Sequence, residues 1–271
     1  MALAKKLSMA LVGSAVLALG TSGAAQAASF LSTSDGKVGT VDTATGSFTQ
    51  VLSGPQFTDI ALSEANDFFG ITFGQLFKVD VGGGSTSLIG NLGATLNALG
   101  FGGDGNLYGA GGSGFYKINT TTGAATLVST ISGFGSSGDI VFDPLNNRFL
   151  ATSLWAGSDK LFSIALDGTA TQIGNLGFSN VYGLFFENGT LFGYTANRQQ
   201  IKIDLGTGAG ILDKNLTGLS GQIYGAASLP STGPSTSVPE PGTLLGLFGI
   251  AALGGVSQLK RQRKSGSSVT E

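Results

Sequence analysis

From residue 29 to residue 229, apolar and polar positions alternate in short runs, broken by clusters of Gly, Asn, Asp, Thr and Ser. Alternation with a period of two puts successive side chains on opposite faces of an extended chain, so these runs are β-strands. One strand recurs at a spacing of about 40 residues, the period of a propeller blade. It spans 37–42, 76–80, 115–119, 161–165 and 201–204, and most copies lead through Thr- or Gly-rich residues into a further strand such as 125–128. Asp or Asn closing the strand, with Gly following, supplies the turn. A strand pair precedes four of these copies: 59–62 with 68–71, 98–101 with 106–109, 139–142 with 148–151, and 182–185 with 190–193. The short stretches 102–105, 143–147 and 187–189 between them carry tight-hairpin chemistry.

The first and last units are incomplete in a complementary way. Strands at 29–34, 37–42 and 48–52 lack an opening strand, and residues 223–229 are an opening strand with nothing after it. Together they make one more blade. Pairing the two terminal strands would close the sheets into a ring and leave only short edges. The expected fold is therefore all-β, a five-bladed β-propeller closed by its N- and C-terminal strands. An unclosed strand-rich sandwich is the alternative.

The ends of the chain follow other rules. Lys5 and Lys6, an apolar run at 7–20, and Ala25-Gln26-Ala27 form the three parts of a secretory signal, with signal peptidase cutting after Ala27. Residues 1–27 are thus expected to be removed and 28–230 to form the repeat domain. Residues 231–237 hold only Ser, Thr, Gly and Pro, and are expected to be a linker. After it come Val238, Pro239, Glu240 and Pro241, then an uncharged apolar run at 242–259 of membrane length, then Lys260, Arg261, Arg263 and Lys264. A basic cluster stays on the cytoplasmic side, which fits an exported N-terminus, so 242–259 is expected to be one transmembrane helix and 265–271 a cytoplasmic tail.

Composition narrows the chemistry. Residues 28–230 carry eight basic residues against 14 acids, a net charge near minus six, with the basic ones scattered. A nucleic-acid partner is not expected of such a field. The chain has neither Cys nor His. Disulfides cannot hold this fold, and zinc sites and histidine-based catalytic arrangements have no residues to work with. Asp80, Asp104, Asp143 and Asp204 sit at turns, where calcium is the metal they would favour, but none lies in a run as acidic as a calcium loop. They are expected to bond their own turns, and no catalytic, cofactor or metal residue is assigned. The Gly-rich stretches 82–84 and 109–114 open no helix and are read as turns. Trp155, the sole tryptophan, lies in the longest interval between strands. It is the one ligand-contact candidate, stacking on a sugar ring, with packing between blades as the alternative.

Val238-Pro239-Glu240-Pro241, followed by an apolar run and a basic stop, resembles the PEP-CTERM sorting signal of exosortase substrates. Residues 238–264 carry the resemblance, and the extra residues 265–271 depart from the usual end of such tails. It implies export through the inner membrane to the cell envelope or beyond, transient anchoring through 242–259, and exosortase processing near Pro239-Glu240-Pro241. It also implies hosts that make extracellular polysaccharide. A strand followed by Gly105-Asn106-Leu107-Tyr108-Gly109 is similar to blades of NHL and gluconolactonase-like propellers. The expected role is a binding or structural propeller associated with exopolysaccharide or a surface protein. The alternative is a carboxylate-based hydrolase or lyase acting on sugars or lactones.

Overall fold

A computed structural model describes residues 29–154, 157–187 and 189–228, and every regular element among them is a strand. The first three are β1 (Ser29–Thr33), β2 (Lys37–Val41) and β3 (Phe48–Ser53). Next come β4 (Asp59–Leu62), β5 (Phe68–Ile71), β6 (Gln75–Asp80) and β7 (Ser85–Asn91). The third group is β8 (Ala98–Phe101), β9 (Leu107–Gly111), β10 (Gly114–Ile118) and β11 (Ala125–Thr130). The fourth is β12 (Ser136–Asp143), β13 (Arg148–Ser153), β14 (Lys160–Ala165) and β15 (Ala170–Asn175). The fifth is β16 (Val181–Glu187), β17 (Thr190–Thr195), β18 (Gln199–Ile203) and β19 (Gly210–Asn215), and β20 (Ile223–Ser228) ends the set.

Four sheets follow chain order, and the remaining one runs β20-β1-β2-β3. β20 pairs antiparallel with β1, Ser29 opposite Ser228 and Leu31 opposite Ala226. This is the five-bladed propeller expected from the repeats, closed by its two terminal strands.

Burial falls from the axis to the rim, and the sequence follows it. The opening strands β4, β8, β12, β16 and β20 pack side by side around the axis, and β4 and β8 are buried at every position. Strands covered on both faces read as continuous apolar runs, as Asp59-Ile60-Ala61-Leu62 and Ala98-Leu99-Gly100-Phe101 nearly do. The rim strands β7, β15 and β19 have no buried position, and even apolar residues such as Leu88 and Ile211 stand exposed there. In all five blades the register shifts by a bulge between the third and fourth strands, as at Leu76/Phe77 and Phe115/Tyr116. A bulge sharpens the local twist, which turns each outer edge.

Each gap between neighbouring blades holds one apolar cluster. In the gap between the third and fourth blades, Phe149 meets Tyr108 and Phe142 at 5.3 Å and Phe115 at 5.6 Å, all tilted or edge-on. The closing gap joins Leu31, Val41 and Phe48 to Phe185, Phe192 and Tyr194. A polar lock reinforces it. Buried Gln200 donates from Nε2 to the Thr43 carbonyl (3.0 Å) and to Asp213 (2.8 Å), and its Oε1 accepts from the Tyr194 hydroxyl (3.2 Å). Lys214 donates to the same Thr43 carbonyl (2.7 Å) and pairs with Asp213 (2.6 Å), while Lys202 holds the other Asp213 oxygen (3.0 Å). Partial burial works against the Asp213 charge, yet these bonds from Lys214, Lys202 and Gln200 hold its pKa at about 2.

None of the described residues forms a helix long and apolar enough to cross a membrane. The expected signal peptide, linker, transmembrane run and tail all lie outside the described residues.

Candidate ligand-binding mouth

All five opening strands run the same way along the axis, so their first residues gather at one face. There they surround a cavity of about 720 Å³, within the range of small-molecule sites. Tyr182 of β16 and Tyr224 of β20 form one wall, edge-to-face with ring centroids 6.3 Å apart. Phe73, in the turn between β5 and β6, and Leu154, just after β13, stand at the rim, each 60% exposed. The Tyr182 hydroxyl donates to Asn180 (2.9 Å), and its pKa is raised by burial, then by the charge of Asp159 and by Tyr224. It therefore stays a neutral phenol.

The opposite wall is polar but uncharged. Asn97 donates from Nδ2 to the Ser136 carbonyl (3.1 Å), while its Oδ1 and the Ser136 Oγ are buried atoms with no hydrogen-bond partner. Ser137 turns its hydroxyl back to Asp159 (3.0 Å), which also accepts the Val181 N–H (2.7 Å). Burial raises the Asp159 pKa against those two bonds. Among the described residues, no Lys, Arg, Asp or Glu lines the cavity.

One residue deeper on β4 and β12, the channel is closed by a pair of aspartates. Asp59 and Asp139 are 0% and 1% exposed, and their carboxyls hydrogen bond each other. Opening strands have no sheet partner on the axial side, so their axial N–H groups need acceptors. Asp59 accepts from Ile60 (2.8 Å) and Leu99 (2.6 Å), and Asp139 accepts from Leu184 (2.5 Å). The N–H groups of Ala226 and Ile140 also point to Asp139, at poorer geometry. Two carboxyls thus serve one N–H from each of the five opening strands. Burial drives the Asp59 carboxyl well above the usual carboxylate range, and the charge of Asp139 adds to the push. Burial raises Asp139 too, but the Leu184 N–H and the bond from Asp59 oppose it. The pair accordingly retains one proton between its two carboxyls, as like charges in one buried site require. Both carboxyls are sealed from solvent, so this pair staples the ring and does not face a substrate.

The turn aspartates of the sequence do bond their own turns. Asp204 accepts from Gly206 (3.1 Å) and Thr207 (2.7 Å), Asp80 from Gly83 (2.8 Å). Asp104 accepts from Asn106 and from the Tyr108 hydroxyl (2.9 Å), and Asp143 from Asn146 and Arg148 (3.1 Å). The Gly-rich stretch at 82–84 holds the turn after β6, whereas of 109–114 only Gly112 and Ser113 form a turn, the rest belonging to β9 and β10. Among the described residues no three acidic side chains gather as a metal site would need. Trp155 lies outside the described residues, as do Ala25, Ala27, Val238, Pro239, Glu240, Pro241, Lys260, Arg261, Arg263 and Lys264; Leu154, next to Trp155 in sequence, is at the mouth.

The tail is decided by its own sequence. Residues 237–263 match the PEP-CTERM protein-sorting motif. With this PEP-CTERM tail the chain is an exported, exosortase-processed protein of the cell envelope or surface, and 242–259 is consistent with a terminal transmembrane segment. None of the curated proteins compared matches the chain. Among solved structures, a protein of unknown function from Bacteroides thetaiotaomicron shares 15% identity at a TM-score of 0.53, over 74% of this chain and 58% of that one. A chain of a nidogen/laminin complex gives 12% identity and 0.54, covering 74% and 97%. A symmetrical protein studied for its de novo evolutionary emergence gives 20% and 0.50, covering 75% and 99%. At such identities the likeness shows the propeller fold alone.

Sequence reasoning missed the tyrosine wall and the aspartate pair. The signal was available in the register of the opening strands. Aligned, they place Asp59, Ala98, Asp139, Gly183 and Gly225 at one level, and Thr58, Asn97, Gly138, Tyr182 and Tyr224 at the level above.

Proposed function

We propose that the exported propeller is a binding module for extracellular polysaccharide, with the mouth between Tyr182, Tyr224 and Phe73 as its site. The observation that carries this is the pairing of an aromatic wall, Tyr182 and Tyr224 with Phe73 at the rim, with an uncharged polar wall of Thr58, Asn97 and Ser136. Aromatic faces cover the apolar side of a sugar ring, and fixed acceptors orient its hydroxyls. Ligand pockets of this kind gain most of their affinity from the apolar surface and their specificity from few polar groups. Ser29 and Ser228, paired with each other, both lie at the other end of the channel, so the described strands begin and end away from the mouth.

The test is retention of the full chain on matrix polysaccharide prepared from its host. Wild type should be retained, and Tyr224→Ala with Phe73→Ala should release it. Equal retention of the wild type and the double variant would remove the mouth as the site. No retention of wild type would remove the polysaccharide function.

A further inference from the structure

Resting on that function, the geometry points to a narrower ligand class: the mouth takes neutral saccharides and rejects acidic ones. Three observations on the wall, the floor and the neighbouring cations lead there.

The wall offers nothing to an anion. Recognition of a uronate, sulfate or phosphate group relies on Arg or Lys, usually in bidentate geometry, and among the described residues the cavity lining contains neither. The strand-end cations at this face are engaged elsewhere, Lys160 with Gln172 at 2.9 Å among them. Lys37 pairs with Asp35 at 2.8 Å, and Arg198 donates to the Leu219 carbonyl at 3.0 Å.

The floor is unfavourable to negative charge. Asp59 and Asp139 lie one residue beneath Thr58 and Gly138, which line the cavity, and between them they hold a carboxylate in a buried site. Asp159 sits behind Ser137. An anion at the mouth would face these groups across little water, where like charges repel strongly. A hydroxyl suits the same surroundings. It finds a lining of uncharged polar residues, among them Thr58, Thr72 and Asn97. The floor is also shut. Below the mouth the channel narrows to about 30 Å³ among Leu99, Ile140, Leu184 and Ala226, so a glycan chain cannot thread the ring.

The experiment is titration calorimetry of the full chain in detergent. The probes are neutral gluco-, manno- and galacto-oligosaccharides, and oligogalacturonate of matched length. The inference expects binding of at least one neutral series, no measurable heat with oligogalacturonate, and weakening of about tenfold or more in Tyr182→Ala, the loss of one aromatic contact of about 1.4 kcal/mol. Phe73→Ala, at an exposed position that leaves the core intact, should weaken the same series without lowering the Tm. Tighter binding of oligogalacturonate than of every neutral series would overturn the neutral class and leave a polysaccharide module standing. Neutral binding unchanged in both variants would overturn the site. Absence of binding to any saccharide would overturn the proposed function along with this inference.

Discussion

Replacing Asp59 with Asn tests whether the centre of the ring holds a proton. The pKa of Asp59 is raised well above 3.8 by burial and by the charge of Asp139. A carboxyl whose pKa is raised on folding contributes stability that is fully present below its unfolded pKa. That stability is lost as pH rises toward the folded value. While the folded pair keeps one proton that the unfolded chain has released, stability falls by about 1.4 kcal/mol per pH unit. An amide at this position carries no titrating proton, and its Nδ2 can replace the Asp59 hydroxyl as donor to Asp139. It has a single acceptor oxygen, however, where Asp59 accepts from both Ile60 and Leu99. One buried N–H loses its partner, which costs about 1–3 kcal/mol.

These two effects have opposite consequences on either side of a crossing. Near pH 4 the wild type should exceed Asp59→Asn by about 1–3 kcal/mol. The gap should then close at about 1.4 kcal/mol per unit, and the variant should draw level within about one to two units above pH 4. Urea unfolding of both proteins at intervals between about pH 4 and pH 7 gives the difference directly. Taking the difference cancels the other titrating groups, including Asp213 and Asp204, whose lowered pKa values act in the opposite sense by favouring the folded state above pH 4. A pH-independent gap across this range would mean that the pair loses no proton-linked stability with Asp59, and the shared-proton account would fail.

Other expectations follow from the same geometry. Asp139→Ala should destabilise more than Asp59→Ala, because the N–H groups of Leu184, Ala226 and Ile140 face Asp139 while two face Asp59; equal losses in urea titration would argue against one-sided service of the ring. Gly225→Ala should cost about 1–3 kcal/mol, since the added Cβ would lie 2.6 Å from the Asp59 Cα, backbone that cannot move aside, and an unchanged Tm would contradict the contact. Gln200→Ala should cost about 1–3 kcal/mol by leaving the buried Tyr194 hydroxyl without its acceptor and removing one of the donors to Asp213, and should speed limited proteolysis. In the tail, Glu240→Ala should leave full-length protein in the membrane fraction, detected by intact mass, whereas a normally trimmed product would show that processing ignores the motif.

The propeller was legible in the chain because each blade repeats a local pattern, and because residues 29–52 and 223–229 lack what the other supplies. Turn chemistry was legible for the same reason. Asp204 and its following glycines act within three residues of each other, so no distant partner is needed to read them. The site was not legible, since its parts come from strands about 40 residues apart and meet only around the axis. Tyr182 and Tyr224 read in isolation as ordinary strand aromatics. Asp59 and Asp139 look like polar residues that begin an apolar strand, a place where an acid is usually solvated. Ring closure instead brings them together at the one point where five unpaired N–H groups converge. The bulge between the third and fourth strands of each blade was equally hidden, because it changes the pairing of backbone groups and not the alternation of side chains.

The closing strand β20 draws these threads together. Tyr224 lines the mouth, Gly225 makes room for Asp59, Ala226 turns its N–H toward Asp139, and Ser228 pairs with Ser29 at the far face. Successive residues of one strand thereby serve the ligand, the staple and the closure. The PEP-CTERM tail follows the same strand in sequence, so tension on an anchored tail would act first on the β20–β1 pairing. The clusters and polar lock of the closing gap oppose that pull: Leu31 and Ala226 pack with Phe185 and Tyr194, and Thr43 is held by Gln200 and Lys214. A ring closed with strands from both ends of the domain depends on that one gap, and Gln200, Lys202, Lys214 and Asp213 tie it with a network of charge and amide.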